Sequence, residues 1–140
     1  MSTTTRTTTS TTVQAAGRRT RLDRLVAVNA AFSGATGATL AAGGSWWADQ
    51  LGGPAPVVVT AVGLGLVGYA LLLAWASGRG LTAEAGRAIA ALDAAWVAGT
   101  AVLLGIAGTS FTGPGLAATV ATGGVVGLLG VLQWRAAGRR

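Results

Sequence analysis

Cysteine and histidine are both absent from the 140 residues, and the single methionine is Met1. That excludes disulfides, thiol redox chemistry, a cysteine nucleophile, zinc or haem ligation through Cys or His, and imidazole acid–base catalysis. Lysine is missing as well, so all ten basic residues are arginine, against only Asp23, Asp49, Glu84 and Asp93. Charged residues make up 10% of the chain where soluble domains carry roughly a quarter. With 51% hydrophobic residues, 23 glycines and a mean hydropathy of +0.60, a water-soluble globule is a poor description. A sequence pI near 11.8 would point a soluble protein toward nucleic acid. Here the placement of the arginines along the chain assigns them another task, and no nucleic-acid partner is expected.

Four apolar stretches are present, each long enough to cross a ~30 Å hydrocarbon layer at a rise of ~1.5 Å per residue. They run over about 22–42, 56–76, 83–106 and 114–134. Pro56 and Pro114 stand at the entrance of a span, where a missing N–H costs nothing. Thr82 is placed to cap the third span, with Glu84 in its first turn. The breaks at 43–55, 77–82 and 107–113 are Gly/Pro-rich and too short to hold a domain. The expected fold is therefore all-α, a four-transmembrane-helix bundle over 21–140. Residues 1–20 read as a disordered Thr/Ser/Arg-rich cytoplasmic tail, a tether or, in a second reading, a phosphorylation target.

Arginine sets the orientation. Arg6, Arg18, Arg19, Arg21 and Arg24 precede the first span, Arg79 and Arg87 flank the middle break, and Arg135, Arg139 and Arg140 follow the fourth span. The first and third connections hold none. Both termini are thus expected in the cytoplasm of a bacterial plasma membrane, as a multi-pass protein. Trp46 and Trp47 would mark the outer interface, and Trp75 and Trp134 the inner one. Arg18, Arg19 and Arg21 would meet anionic headgroups at ~1 kcal/mol per residue. The segment 45–51 reads as a short interfacial helix capped by Ser45, or as a docking patch. The competing reading of Arg18-Arg19 and the first span as a cleaved export signal is opposed by an internal repeat.

That repeat sets Asn29-Ala30-Ala31-Phe32 on Asp93-Ala94-Ala95-Trp96, Pro56 on Pro114, Gly65 on Gly123 and Trp75 on Trp134. Two tandem helical hairpins, related by a pseudo-twofold axis along the membrane normal, are the expectation. Membrane helices associate through close backbone approach. Small-residue faces are expected at Thr119/Gly123/Gly127/Gly130, at Ala30/Gly34/Ala38, at Ala91/Ala95/Gly99 and at Ala61/Gly65/Gly68. They would serve internal packing, a homo-oligomer or a membrane-protein partner.

Asp93 is the one acidic residue well inside a span, ~9 Å beyond Arg87 along a helix. An ionised Asp at the membrane centre costs on the order of 2.5–3.5 kcal/mol, so it should face protein or water. Its repeat mate Asn29 lies at similar depth, and Arg24, Arg87, Gln133 and Tyr69 are further candidate partners. Two functions follow. One is an interhelical hydrogen bond that fixes register in a non-enzymatic structural or accessory protein; the other is a proton-linked site in a small carrier of small or hydrophobic solutes. No nucleophile elbow, metal cluster, phosphate loop or carboxylate pair is present, so no enzyme and no cofactor are expected.

The R-L-D-x-x-V-x-x-N-A opening at 21–30, the D-A-A-W block at 93–96 and the L-Q-W ending at 132–134 resemble small four-span integral membrane proteins of high-GC bacteria. The resemblance implies the four-span fold and the location, and it carries over no catalytic or binding role. Small multidrug exporters are similar in size and span number. They place their working carboxylate in the first helix, where this chain has Asn29.

Overall fold

The computed structural model describes residues 20–139; the expected tail over 1–20, with Arg18 and Arg19, lies almost wholly outside the described residues. Five α-helices follow in order: α1 Arg21–Ala42, α2 Gly44–Gln50, α3 Pro56–Arg79, α4 Ala83–Ala107 and α5 Gly113–Ala137, with a 3₁₀ turn at Gly108–Ser110 before α5. Four of them, α1, α3, α4 with its 3₁₀ extension, and α5, are long and apolar enough to cross a membrane.

Local chemistry accounts for each start. Thr20 and Asp23 form a capping box at α1, the Asp23 N–H donating to Thr20 Oγ1 at 3.2 Å and the Thr20 N–H to Asp23 Oδ2 at 2.8 Å. Thr82 accepts from the Ala85 N–H at 3.1 Å, and Thr112 from the Gly115 N–H at 3.2 Å. Pro56 opens α3, and Pro114 sits in the first turn of α5. The expected break at 43–55 contains a helix: α2 is capped by Gly43, without a side-chain hydrogen bond, and Ser45 lies inside the helix rather than at its cap.

The helices pack as two antiparallel pairs. In the α1–α3 pair Gly34 faces Ala70, and Gly37 faces Gly63 and Leu66. In the α4–α5 pair Asp93 faces Gly130, Val97 faces Gly127 and Thr100 faces Gly123. The pairs join mainly along α1 and α5; α3 and α4 do not pack along one another. Two expected small-residue faces are corrected here. Gly65 and Gly68 have open space where a Cβ would stand, and α3 uses Val59, Gly63, Ala70 and Leu73 instead. Ala91, Ala95 and Gly99 on α4 are exposed, because Ile89, Ala90 and Asp93 form its buried face. Ala38 on α1 is exposed too, while Ala30 and Gly37 are buried.

Packing is dense at the arginine-bearing end. Leu22, Val26, Ala30, Leu73, Leu81, Ile89 and Ala137 form one buried cluster. Asp23 ties it to the α3–α4 connection, its Oδ1 accepting from the Leu81 N–H at 2.9 Å. At the opposite end α2 reaches across to α5: the Thr112 N–H donates to the Gln50 carbonyl at 3.1 Å, and Thr112 Oγ1 to Gln50 Oε1 at 2.7 Å. Gly115 leaves room for that carbonyl, since a Cβ there would run into Gln50 O. Away from the arginine-bearing end, the second half of α4 contributes no buried residue, and Ile106 is 81% exposed. In water such a surface would aggregate; in a bilayer, lipid tails cover it without cost.

Candidate functional site

Polar side chains from four helices converge in the bundle interior. Asn29 lies about two turns into α1, Tyr69 and Asp93 near the middles of α3 and α4, and Gln133 one turn from the end of α5. Asn29 Nδ2 donates to Asp93 Oδ2 at 2.8 Å, and the Tyr69 hydroxyl donates to Asp93 Oδ1 at 3.2 Å. Ser33 Oγ, one turn along α1, donates to Asn29 Oδ1 at 3.3 Å. Both oxygens of the one carboxylate away from the span ends thus hold a donor from another helix. Asn29 is 0% and Asp93 3% exposed.

The backbone makes this approach possible. Gly130 lets α5 lie against Asp93, for a Cβ there would stand 3.2 Å from the Asp93 Cβ. Gln133 is fully buried beside the same carboxylate, yet neither amide atom closes a hydrogen bond. A buried amide left so costs about 1–3 kcal/mol. Arg24 and Arg87, named as partners from sequence, are exposed on the first turns of α1 and α4 and take no part in the hydrogen-bonded cluster. Their guanidinium groups reach water more cheaply than they reach a buried acid.

Next to the cluster lies a cavity of about 360 Å³. It occupies the gap between α3 and α4, backed by α1 and α5. Aliphatic side chains such as Leu66, Leu92 and Val126 form most of the wall, with Asp93, Tyr69, Ser33 and Thr36 as its polar groups. Phe32 and Trp96, paired in the repeat, also line it, although the sequence reading gave them no role in a site. The available signal was position. Of the eight aromatic residues, only Phe32, Tyr69 and Trp96 stand away from the span ends.

The interfacial candidates lie at the two ends. Trp46 and Trp47 sit on α2 in edge-to-face contact, with ring centroids 4.7 Å apart, and Trp46 is exposed. Trp75 and Trp134 are exposed near the opposite end, where the Arg79 guanidinium stacks 3.9 Å over the Trp75 ring. Arg21, Arg24, Arg79, Arg87, Arg135 and Arg139 all lie at that same end. Among the described residues no group of three or more His, Cys, Asp or Glu could hold a metal ion. No family model, curated protein or solved structure matches this chain.

Proposed function

We propose that the chain is a non-enzymatic structural or accessory protein of a bacterial plasma membrane. Its four spans form two tandem hairpins, with both chain ends in the cytoplasm. The observation that carries the reading is the Asn29–Asp93–Tyr69 triad, a carboxylate that joins α4 to α1 and α3 through hydrogen bonds of 2.8 and 3.2 Å. In hydrocarbon such bonds fix helix register, at about 0.6–1.7 kcal/mol each. Asn29 and Asp93 are also the residues that the repeat equates. Their meeting is what a pseudo-twofold axis between α1 and α4 produces, which supports duplication. Six arginines at one end and the paired tryptophans at the other support the orientation. At the arginine end, anionic headgroups are the natural lipid partners. The exposed Ala91/Ala95/Gly99 face of α4 suits a second copy or another membrane protein.

Replacing Asp93 by Leu tests the structural reading. Thermal unfolding of the purified protein in detergent should shift down; an unchanged midpoint would refute a register role. Orientation is tested with single cysteines on this cysteine-free chain. An impermeant thiol reagent applied to sealed cells should label Ser45→Cys and spare Gly138→Cys.

A second reading, a proton-linked carrier of small or hydrophobic solutes, is favoured by the cavity that Asp93 lines. Its test is pH-driven flux in proteoliposomes, which should be present with the wild-type chain and lost in Asp93→Asn.

A further inference from the structure

Among the described residues, Gln133 is the one that buries side-chain polar atoms without a hydrogen bond, and both its Nε2 and its Oε1 are so placed. The side chain is 0% exposed. Native proteins leave few such groups unmet, and here a donor and an acceptor are buried together on one amide. The position of the residue narrows what can answer it. Gly130 lies against Asp93, and Gln133 follows about one turn along the same face of α5, toward the arginine-bearing end. Ala137, a further turn on, belongs to the apolar cluster with Leu22, Val26 and Ile89. The amide is therefore held between a buried carboxylate and an apolar plug, and it does not line the α3–α4 cavity.

Hydrogen-bonding capacity remains on the carboxylate side. An ionised carboxylate offers about four lone-pair sites, and Asn29 Nδ2 and the Tyr69 hydroxyl occupy one on each oxygen of Asp93. Whatever stands between the two side chains must accept from Nε2 and donate both to Oε1 and to Asp93. A bare metal cation would serve Oε1 and leave Nε2 without an acceptor. An anion would be repelled by Asp93, and an apolar group would serve neither atom. Water meets all three needs. It closes a ring with a primary amide, accepting from the N–H and donating to the C=O, and its second hydrogen points outward. Buried waters typically make about three hydrogen bonds, to groups that lack another partner.

We propose that Gln133 holds an internal water molecule, which accepts from Nε2, donates to Oε1 and donates its second hydrogen to the Asp93 carboxylate. The water brings α5 into a network that otherwise joins α1, α3 and α4, so all four long helices share one polar link. A bridge of this kind is nearly as favourable in enthalpy as a direct hydrogen bond. The site rests on the register reading of Asp93 but is measured independently of it, by magnetisation transfer from water where register is read from unfolding.

The test is water–amide cross-relaxation by NMR on the full, isotopically labelled chain in detergent micelles. Glutamine occurs only as Gln14, Gln50 and Gln133, and Gln133→Met identifies the side-chain signal it removes. The expected result is a rotating-frame contact between the Gln133 amide protons and water, with the sign of dipolar transfer, opposite to that of chemical exchange. Tyr69→Phe, which removes the phenolic proton of the cluster, should leave the contact in place, and Asp93→Leu should abolish it. The wild-type spectrum decides alone if a variant fails to fold: no contact, or one with the sign of exchange, overturns the proposal. Gln133→Met should also lower the thermal unfolding midpoint. A raised midpoint, expected where the amide has no partner to lose, would contradict the bound water. A dipolar contact in the wild type, beside an Asp93→Leu midpoint that does not move, would support the water while refuting the register role.

Discussion

Both helix pairs are rich in glycine and alanine, yet they are packed differently. In α1–α3 the backbones touch. A Cβ on Gly37 would stand 2.6 Å from the Gly63 carbonyl, and one on Gly63 would stand 2.5 Å from the Ala41 nitrogen. In α4–α5 side chains keep the axes apart: a Cβ on Gly127 would meet Val97 Cγ2 at 3.6 Å, and one on Gly123 would meet Thr100 Cγ2 at 3.7 Å, both ordinary contacts. What matters is which neighbour faces the glycine, and less how many glycines the helix has. Gly37 and Gly63, opposite backbone, are required; Gly123 and Gly127, opposite side-chain methyls, have room to spare.

That difference can be broken or sharpened by substitution. Gly63→Ala should have the largest effect, because the atoms it meets are backbone and the helices must separate. We expect a loss of about 2–3 kcal/mol in denaturant unfolding of the purified protein. Asp93→Leu follows, at about 1–3 kcal/mol, since it leaves the buried Asn29 amide and the Tyr69 hydroxyl without their acceptor. Asp23→Ala removes the Asp23 half of the α1 capping box and the tie to Leu81, while the Thr20 hydroxyl still caps the helix, and should lower the unfolding free energy by about 1–2 kcal/mol in the same assay. Gly127→Ala should be smallest. Its Cβ fits, and the helix-propensity gain of up to about 1 kcal/mol leaves it neutral or mildly stabilising. If Gly127→Ala proved as harmful as Gly63→Ala, the contrast between the pairs would be wrong.

Hydropathy makes the four spans legible in the amino-acid sequence, and Pro56, Pro114 and Thr82 mark where three of them begin. The ends of α3 and α5 run three residues past the expected Ala76 and Trp134, to Arg79 and Ala137. Both extensions include arginine, which hydropathy counts against a span although a helix can carry it into the headgroups. The alignment of Asn29 with Asp93 in the amino-acid sequence points to their approach, and the two side chains meet at 2.8 Å. The Asp23 contact to Leu81 is not readable, for a carboxylate in a first turn looks like a cap and nothing more. Nor were the packing faces of α3 and α4 readable. Small residues occur all around these helices, so the Gly65/Gly68 stripe and Gly63 are equally good candidates until the neighbouring helix is in place. The cavity escaped for the same reason: it is a gap between α3 and α4, and a gap belongs to no single segment.

The central claim is that Asn29 and Asp93 form a polar link between the two pairs, and a double-mutant cycle tests it most directly. Unfolding free energies of the wild-type chain, Asn29→Ala, Asp93→Ala and the double variant should reveal a favourable coupling of about 0.6–1.7 kcal/mol. Strictly additive losses, with no coupling between the two positions, would contradict it.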